Sequence, residues 1–331
     1  MAKRVKTERV RGRLAIQLFF AALTNSYVTG FAAGKIYQGN LKQLCHPGLN
    51  CYSCPGAVLS CPIGALQAVI GSRSFNLSLY VFGFMLVVGA TLGRMVCGFL
   101  CPFGLIQELL HKIPFPKKWK AFRGDWPLRK LKYVLLAVFV IALPLLLVNP
   151  AGESSPYFCK LVCPAGALEG AVPLVVFPPT AAGAATLPGG LTLDLPGGAP
   201  KVELIDPGSA TRYETGTLFY WKISLMLFVV LVSVVIYRPF CKYLCPLGAV
   251  YGALNPVALY RLRFSEDTCI RCGACARACG MALDPTRQLN HPECVRCGDC
   301  VNACPVDALS MGFGNGKKGE ALSAPQGGRQ P

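Results

Sequence analysis

Residues 269–279, CIRCGACARAC, and residues 294–305, CVRCGDCVNACP, each hold four cysteines in the order Cys-x2-Cys-x2-Cys-x3-Cys. Three closely spaced thiolates can bind one 4Fe-4S cubane, while the fourth reaches the cluster of the other run. The spacing therefore predicts two clusters, the first bound by Cys269, Cys272, Cys275 and Cys304 and the second by Cys279, Cys294, Cys297 and Cys300. A pair of zinc sites is the alternative, but zinc sites rarely repeat a four-cysteine run that ends in proline.

This double run is typical of bacterial two-cluster ferredoxins, so residues 257–312 are expected to form an α+β 2[4Fe-4S] ferredoxin module. Gly280 departs from the pattern, because Pro305 follows the last cysteine of the other run. The change is expected to loosen a turn without removing a ligand. Residues 313–331, rich in Gly, Lys, Ser, Pro and Gln, are predicted to be a disordered tail.

The remaining sequence has the composition of a membrane protein. Of 331 residues, 53% are hydrophobic and 15% are charged, whereas soluble proteins carry about 25% charged residues. Four apolar stretches of about 20 residues could each cross a hydrocarbon core of about 30 Å, and they are residues 14–33, 75–95, 131–148 and 217–236. The sequence thus predicts an all-α four-helix bundle over residues 14–256. A proline within the third stretch, Pro144, is expected to kink that helix.

The basic residues indicate the orientation of these spans. Lys and Arg are concentrated in residues 1–13, between residues 94 and 132, and after residue 237, whereas the other two loops hold few of them. The positive-inside rule then places both termini in the cytoplasm and the chain in the cell (inner) membrane. Residues 1–13 are read as a retained basic segment and not as a signal peptide. Although the net charge is +17, no basic patch is interleaved with aromatics, so no nucleic-acid partner is expected.

A second cysteine motif, Cys-x3-Cys-Pro, occurs outside the ferredoxin runs. It appears as CGFLCP at residues 97–102, CKLVCP at 159–164 and CKYLCP at 241–246, with the related pieces CYSCP at 51–55 and CPIGAL at 61–66. Proline suits the first position of a helix, and the free N–H groups there favour an anionic thiolate cluster. Since one pair cannot supply four thiolates, pairs from different parts of the chain must combine.

The order of spans and motifs forms an internal two-fold repeat, which suggests how the pairs combine. Two pairs end the second and fourth spans on the cytoplasmic side, so we expect one inner 4Fe-4S site bound by Cys97, Cys101, Cys241 and Cys245. On the outer side, Cys159 and Cys163 can combine with two of Cys45, Cys51, Cys54 and Cys61. The repeat favours Cys54 and Cys61. Cys45 and Cys51 remain alternative ligands, a disulfide pair or reactive thiols.

Three polar residues near these motifs have more than one interpretation. Arg94 and Arg238 each precede an inner pair by three residues. They are expected to be interfacial anchors, with a second role of raising the potential of that cluster. His46 lies among the outer cysteines and is interpreted as structural, the alternative being a ligand or proton carrier.

Three segments carry a family resemblance: RMVCGFLCP (residues 94–102), RPFCKYLCPLGAVYG (238–252) and the following ferredoxin runs. Over about residues 75–310, the chain resembles the membrane polyferredoxins typified by NapH and by the C-terminal part of NosR. The resemblance implies electron passage between a quinol pool or cytoplasmic donors and periplasmic partners. The outer motifs CHPGLNCYSCPGAVLSCPIGAL (45–66) and CKLVCPAGALEG (159–170) are not part of the NapH pattern. They look like those of a related group of 4Fe-4S membrane proteins in anaerobes.

The leading hypothesis is a transmembrane electron conduit. A cytoplasmic donor would reduce the ferredoxin module, and the inner and outer clusters would lead to an extracytoplasmic acceptor such as a flavoprotein. Because surfaces about 30 Å apart are distant for electron tunnelling, both clusters must be inset or another cofactor must lie between them. The alternatives are a quinone-reactive membrane subunit and a non-redox anchor for a soluble enzyme. Without a nucleotide loop or nucleophile constellation, the chain is expected to be an electron-transfer subunit and not a stand-alone catalyst.

Overall fold

The computed structural model of the protein describes residues 2–33, 35–71, 78–147, 154–176 and 216–314. Residues 177–215, which form most of the connection between the third and fourth predicted spans, and residues 315–331 of the predicted tail lie outside these ranges. The first half of the chain is helical, with short elements between longer ones. Its elements are α1 (Ala2–Thr24), α2 (Thr29–Ala33), a 3-10 turn (Asn40–Gln43), α3 (Pro62–Ile70), α4 (Ser78–Thr91), α5 (Met95–Phe99) and α6 (Pro102–Lys112).

The second half repeats this pattern before the ferredoxin module begins. Its elements are α7 (Asp125–Leu135), a π-helical segment (Leu136–Ala142), α8 (Leu143–Leu146), α9 (Tyr157–Leu161), a second π-helical segment (Gly166–Ala171), α10 (Val172–Val176), α11 (Thr217–Val235), α12 (Pro239–Tyr243) and α13 (Pro246–Leu254). The π-helical segment Leu136–Ala142 directly precedes Pro144. Proline cannot donate the usual backbone hydrogen bond, and a widened turn accommodates that loss.

Helix length supports only part of the predicted membrane bundle. Among the described residues, one helix, Thr217–Val235, is long and apolar enough to span a membrane. The apolar part of α1, Gly12–Thr24, is shorter because the helix begins in basic sequence. The third stretch is divided among α7, the π-helical segment and α8. The four-span bundle therefore stays a prediction for the other three helices.

The internal repeat is visible in the packing. Helices α4, α5 and α6 follow the same order as α11, α12 and α13, and the last helix of each set packs on the first helix of the other. Phe103 of α6 and Phe240 of α12 meet edge-to-face at 5.2 Å between ring centroids. Because each set of helices packs on the other, the two inner Cys-x3-Cys-Pro pairs lie at one interface.

The C-terminal module has the predicted α+β fold. Strands β1 (Tyr260–Phe264) and β2 (Leu309–Phe313) pair antiparallel, with α14 (Ala274–Ala278) and α15 (Asp299–Ala303) between them in the chain. Each helix follows a glycine with positive φ, Gly273 at 68° and Gly298 at 84°. Such φ values suit glycine, which has no Cβ to clash. The two cysteine runs therefore share one backbone conformation.

Candidate iron-sulfur sites

The eight ferredoxin cysteines form the two groups that the spacing predicts. Cys269, Cys272, Cys275 and Cys304 line one cavity of about 420 Å³. Cys279, Cys294, Cys297 and Cys300 line a second, smaller cavity. In each group the fourth thiol comes from the other run, because the antiparallel strands bring the ends of the runs together. The first group lies at the surface, where Cys272 is exposed.

The four inner cysteines meet at the interface between the two halves of the repeat. The Cys245 thiol lies close enough to the thiols of Cys241, Cys97 and Cys101 for their charges to interact. All four side chains are buried. The backbone N–H of Gly104 donates to Cys101 Sγ, and that of Gly248 donates to Cys245 Sγ, each at 3.4 Å. The first turns of α6 and α13 thus point their free amides at this group, as an anionic site requires.

Arg94 and Arg238 cross-connect the two inner pairs. Arg94 Nη2 donates to the carbonyl oxygen of Cys241 at 3.0 Å, and Arg238 Nη1 donates to the carbonyl of Cys97. Both guanidinium groups are fully buried. Each also contacts a carboxylate, Glu293 at 2.9 Å for Arg94 and Glu108 at 2.7 Å for Arg238. Their expected role as interfacial anchors is therefore wrong, because burial in the protein removes them from any lipid interface.

A glutamine one turn into α6 holds the second inner pair. Gln107 Nε2 donates to Cys241 Sγ at 3.2 Å, and its Oε1 accepts from the backbone N–H of Phe240 at 3.1 Å. The amide therefore fixes the start of α12 and places a hydrogen bond on a candidate ligand. Hydrogen bonds to the sulfurs are one of the means by which a protein sets the potential of a cluster.

Of the cysteines predicted for the outer side, the structure groups Cys51, Cys61, Cys159 and Cys163. The Cys163 thiol lies close enough to the other three thiols for their charges to interact. All four cysteines line a cavity of about 780 Å³. Cys54, which the repeat favoured, does not line this cavity. Its thiol faces Asn25 Oδ1 at 3.5 Å, because the turn from Cys51 to Cys54 directs the two side chains differently. The expected set is thus corrected by one residue.

Cys45 and His46 are the other two residues that the sequence placed near the outer cysteines. Cys45 lines the wall of the same cavity. All 18 cysteines lie within the described ranges, and none of them is in a disulfide. His46 is buried, with Nε2 at 3.2 Å from the carbonyl of Leu100 and its backbone N–H donating to Ser60. These contacts agree with a structural role for His46.

The donor sets suit clusters better than single ions. Within the described ranges, no three His, Cys, Asp or Glu side chains are spaced to share one metal ion. A 4Fe-4S cubane takes its thiolates on separate irons, so four sulfurs spread around a cavity fit it. Burial raises the pKa of Cys61 to about 11. Such a thiol is neutral at physiological pH unless bound metal removes its proton.

The ferredoxin module is docked on the inner site. A Cβ on Gly98, between Cys97 and Cys101, would lie 2.6 Å from the carbonyl oxygen of Val295. A Cβ on Gly280 would lie 2.7 Å from the ring of Tyr237. The departure at Gly280 is therefore a packing requirement and not merely a looser turn, because the ring occupies the space that a proline would need.

Comparisons with known proteins identify three 4Fe-4S binding segments in the chain. A family profile described as "4Fe-4S binding domain" matches residues 77–122 and again residues 218–264. These two segments contain the inner cysteine pairs, which supports the internal repeat. A second profile with the same description matches residues 288–310, within the ferredoxin module. No solved structure matches the chain.

Three relatives are similar to the chain over longer segments than these profiles cover. An uncharacterized protein of Methanocaldococcus jannaschii is 25% identical over 76% of this chain and 86% of its own length. YccM of Escherichia coli, provisionally named an electron transport protein, is 27% identical over 59% of this chain and 43% of its own length. The regulatory protein NosR of Stutzerimonas stutzeri is 24% identical over 61% of this chain. The chain spans only 22% of NosR.

Proposed function

The chain belongs to the NapH/NosR-like family of 4Fe-4S proteins, and from this membership we propose that it is a membrane electron-transfer protein. A cytoplasmic donor would reduce the ferredoxin module, and electrons would pass to the inner site and then to an acceptor. The name of YccM, an electron transport protein, supports this class of function. We propose the cell membrane as its location, with both termini in the cytoplasm.

The contact between the second ferredoxin site and the inner site carries the proposal. Arg13 Nη1 donates to the carbonyl of Cys297 at 3.2 Å, and Asn255 Nδ2 donates to the carbonyl of Cys294 at 3.0 Å. The close approach of Val295 to Gly98 places this loop directly against the Cys97–Cys101 turn. Because tunnelling rates fall steeply with distance, this packing favours electron exchange between the two sites.

Buried charges hold that contact in place. Glu293, next to the candidate ligand Cys294, pairs with Arg94 and with Lys132 at 2.5 Å. A 4Fe-4S cluster, when bound, supplies a one-electron couple, and nearby positive charge and hydrogen bonds adjust its potential. The chain's own residues fix the spacing of the sites and their electrostatic surroundings, and partners would supply substrate chemistry.

Exposed apolar side chains support the membrane location. Leu227, Phe228 and Leu231 on α11 are all at least half exposed, and Leu79 on α4 is 80% exposed. Large exposed apolar surfaces mark sites that contact lipid or another protein. The acceptor would be an extracytoplasmic protein such as a flavoprotein, with a membrane quinone as the alternative.

Iron analysis and EPR of the anaerobically purified full chain test this proposal. We expect at least three clusters, or about 12 iron atoms per chain, with one signal lost in Cys241→Ala and both ferredoxin signals kept. A total of about eight iron atoms, with only the ferredoxin signals, would contradict it. Cluster reoxidation by menaquinone that stops with a quinone-site inhibitor would favour the quinone alternative.

A further inference from the structure

We infer that Cys51, Cys61, Cys159 and Cys163 bind a further 4Fe-4S cluster, which follows the inner site in the electron path. The four cysteines lie outside residues 77–122, 218–264 and 288–310, the segments that the 4Fe-4S profiles match. The existence of this site is independent of the proposed function, whereas its place in the path rests on that function.

The outer group repeats the construction of the inner group. Cys61-Pro62-Ile63-Gly64-Ala65-Leu66-Gln67 has the pattern of Cys101-Pro102-Phe103-Gly104-Leu105-Ile106-Gln107. Helices α3 and α6 both begin at the proline. Gln67 Nε2 donates to Cys159 Sγ at 3.3 Å, and its Oε1 accepts from Phe158 N–H at 2.9 Å. These are the bonds that Gln107 makes to Cys241 and Phe240.

The glycine after each second cysteine also repeats. A Cβ on Gly166 would lie 3.8 Å from the carbonyl oxygen of Cys159, and a Cβ on Gly248 would lie 3.3 Å from that of Cys241. The Cys159–Cys163 turn therefore packs as the Cys241–Cys245 turn does, and Cys159 also has the glutamine hydrogen bond of its inner counterpart. A donor set built the same way twice is expected to bind the same kind of cluster.

The fourth outer position is filled from a loop. Cys97 stands four residues before Cys101, but Ala57 stands four residues before Cys61. Cys51 takes this place, with its Sγ 3.8 Å from where a Cβ on Gly166 would lie. Its backbone N–H donates to Glu169 Oε2 at 2.7 Å.

Two lysines line the cavity of the outer group. Lys42 and Lys222 both face this space, and neither makes a salt bridge with a described carboxylate. Lys42 Nζ is held by the carbonyl of Ala57 at 2.6 Å. Positive charge at this position suits a four-thiolate cluster, which is anionic.

A short segment joins the inner and outer groups. Leu49 N–H donates to Cys101 Sγ at 3.4 Å, and both Leu49 and Asn50 line the cavity of the outer group. Successive Cα atoms are only 3.8 Å apart, so the two groups approach each other through this segment. The segment that contains Cys45 and Cys51 folds inward instead of remaining at an outer surface. One electron would pass from the inner to the outer cluster, with no bond broken and no proton moved.

Alanine variants of the full chain test the ligand assignment. After anaerobic reconstitution, the wild type should hold about 16 iron atoms and Cys51→Ala about 12. Cys54→Ala is the matched control, because it removes a neighbouring thiol that faces away, and it should keep about 16 iron atoms. The ferredoxin and inner EPR signals should persist in both variants, which would show that they fold.

A second variant tests the same site without removing a ligand. Gln67→Leu should keep all iron and lower the midpoint potential of one cluster, while Gln107→Leu should lower that of a different cluster. Iron loss in Cys54→Ala but not in Cys51→Ala would overturn the assignment. A wild type with about 12 iron atoms and an intact inner signal would overturn the site itself and leave the proposed function standing.

Discussion

At the scale of single residues, the inner site depends on buried charges that are neutralised in pairs. Arg94 and Lys132 share Glu293, and all three side chains are at most 5% exposed. A buried ion pair contributes little net stability, but removing one partner leaves a charge in a medium that solvates it poorly. The carboxylate of Glu293 therefore stabilises the fold mainly because it neutralises the charges of Arg94 and Lys132, and its hydrogen bonds contribute less.

Glu293→Gln should strongly destabilise the protein. Loss of the charge leaves two buried cations, so we expect a decrease of about 3–5 kcal/mol in the free energy of unfolding. Thermal denaturation followed by cluster absorbance would measure it. The control is Glu266→Gln, whose partner Arg271 has an 83% exposed side chain, and it should change stability by less than about 1 kcal/mol. Equal effects of the two variants would contradict this explanation.

Gln107→Leu should lower the reduction potential of the inner cluster. The amide donates to Cys241 Sγ, and this bond strengthens when reduction adds negative charge to the cluster. Its loss should cost the reduced state on the order of 1 kcal/mol, which is tens of millivolts for one electron. An EPR redox titration would detect the shift. An unchanged inner potential would show that the hydrogen bond has no electronic effect.

At the scale of elements, two glycines allow the ferredoxin module to pack closely on the helical part of the chain. The backbone of Gly98 packs against the carbonyl of Val295, and that of Gly280 packs against the ring of Tyr237. Neither position can accept a Cβ without a shift of the neighbouring chain. A rigid contact of this kind holds the second ferredoxin site and the inner site at one separation.

Gly98→Ala should slow electron transfer between these two sites without removing a cluster. The added methyl group would meet a backbone carbonyl at 2.6 Å, so the module must move away from the turn. Flash reduction followed by rapid-freeze EPR should show at least a several-fold slower transfer at full iron content. Gly83→Ala on α4 is the control, since nothing lies within 4 Å of its Cβ position. An unaltered rate in Gly98→Ala would contradict the docking argument.

At the scale of the whole molecule, the candidate sites follow one another in a line. The first ferredoxin group carries the exposed Cys272, and the second group contacts the inner site. The inner site meets the outer group at Leu49, which donates to Cys101 and lines the outer cavity. With the proposed outer cluster bound, this order would answer the distance problem that the sequence raised, because no additional cofactor would be needed between the inner and outer sites.

Cys241→Ala should interrupt this line at its middle. With a reduced ferredoxin protein as donor, both ferredoxin sites should still be reduced at the wild-type rate. The outer cluster should then be reduced at least about tenfold more slowly, as followed by EPR after mixing. A large protein donor is required because a small reductant could reach the outer cavity directly. Undiminished outer reduction would mean that electrons enter the outer site independently.

Local spacing was sufficient to predict the ferredoxin module, the grouping of its eight cysteines and the repeat of the Cys-x3-Cys-Pro pairs. Residues close in sequence can reach one cluster without reference to the rest of the fold. The sequence alone left open which of the outer cysteines converge, and it favoured Cys54 over Cys51. That choice depends on contacts made across the chain, such as those of Cys51 with Glu169 and of Cys54 with Asn25.

The positions of Arg94, Arg238 and Gly280 likewise became interpretable only in three dimensions. Each contacts residues far away in the chain: Arg94 meets Glu293, Arg238 meets Cys97, and Gly280 meets Tyr237. Cysteine spacing determined the two ferredoxin sites, because most of the ligands of each site are close together in the sequence. Tertiary packing determined how near those clusters lie to one another, because burial and close approach depend on segments that only the folded chain brings together.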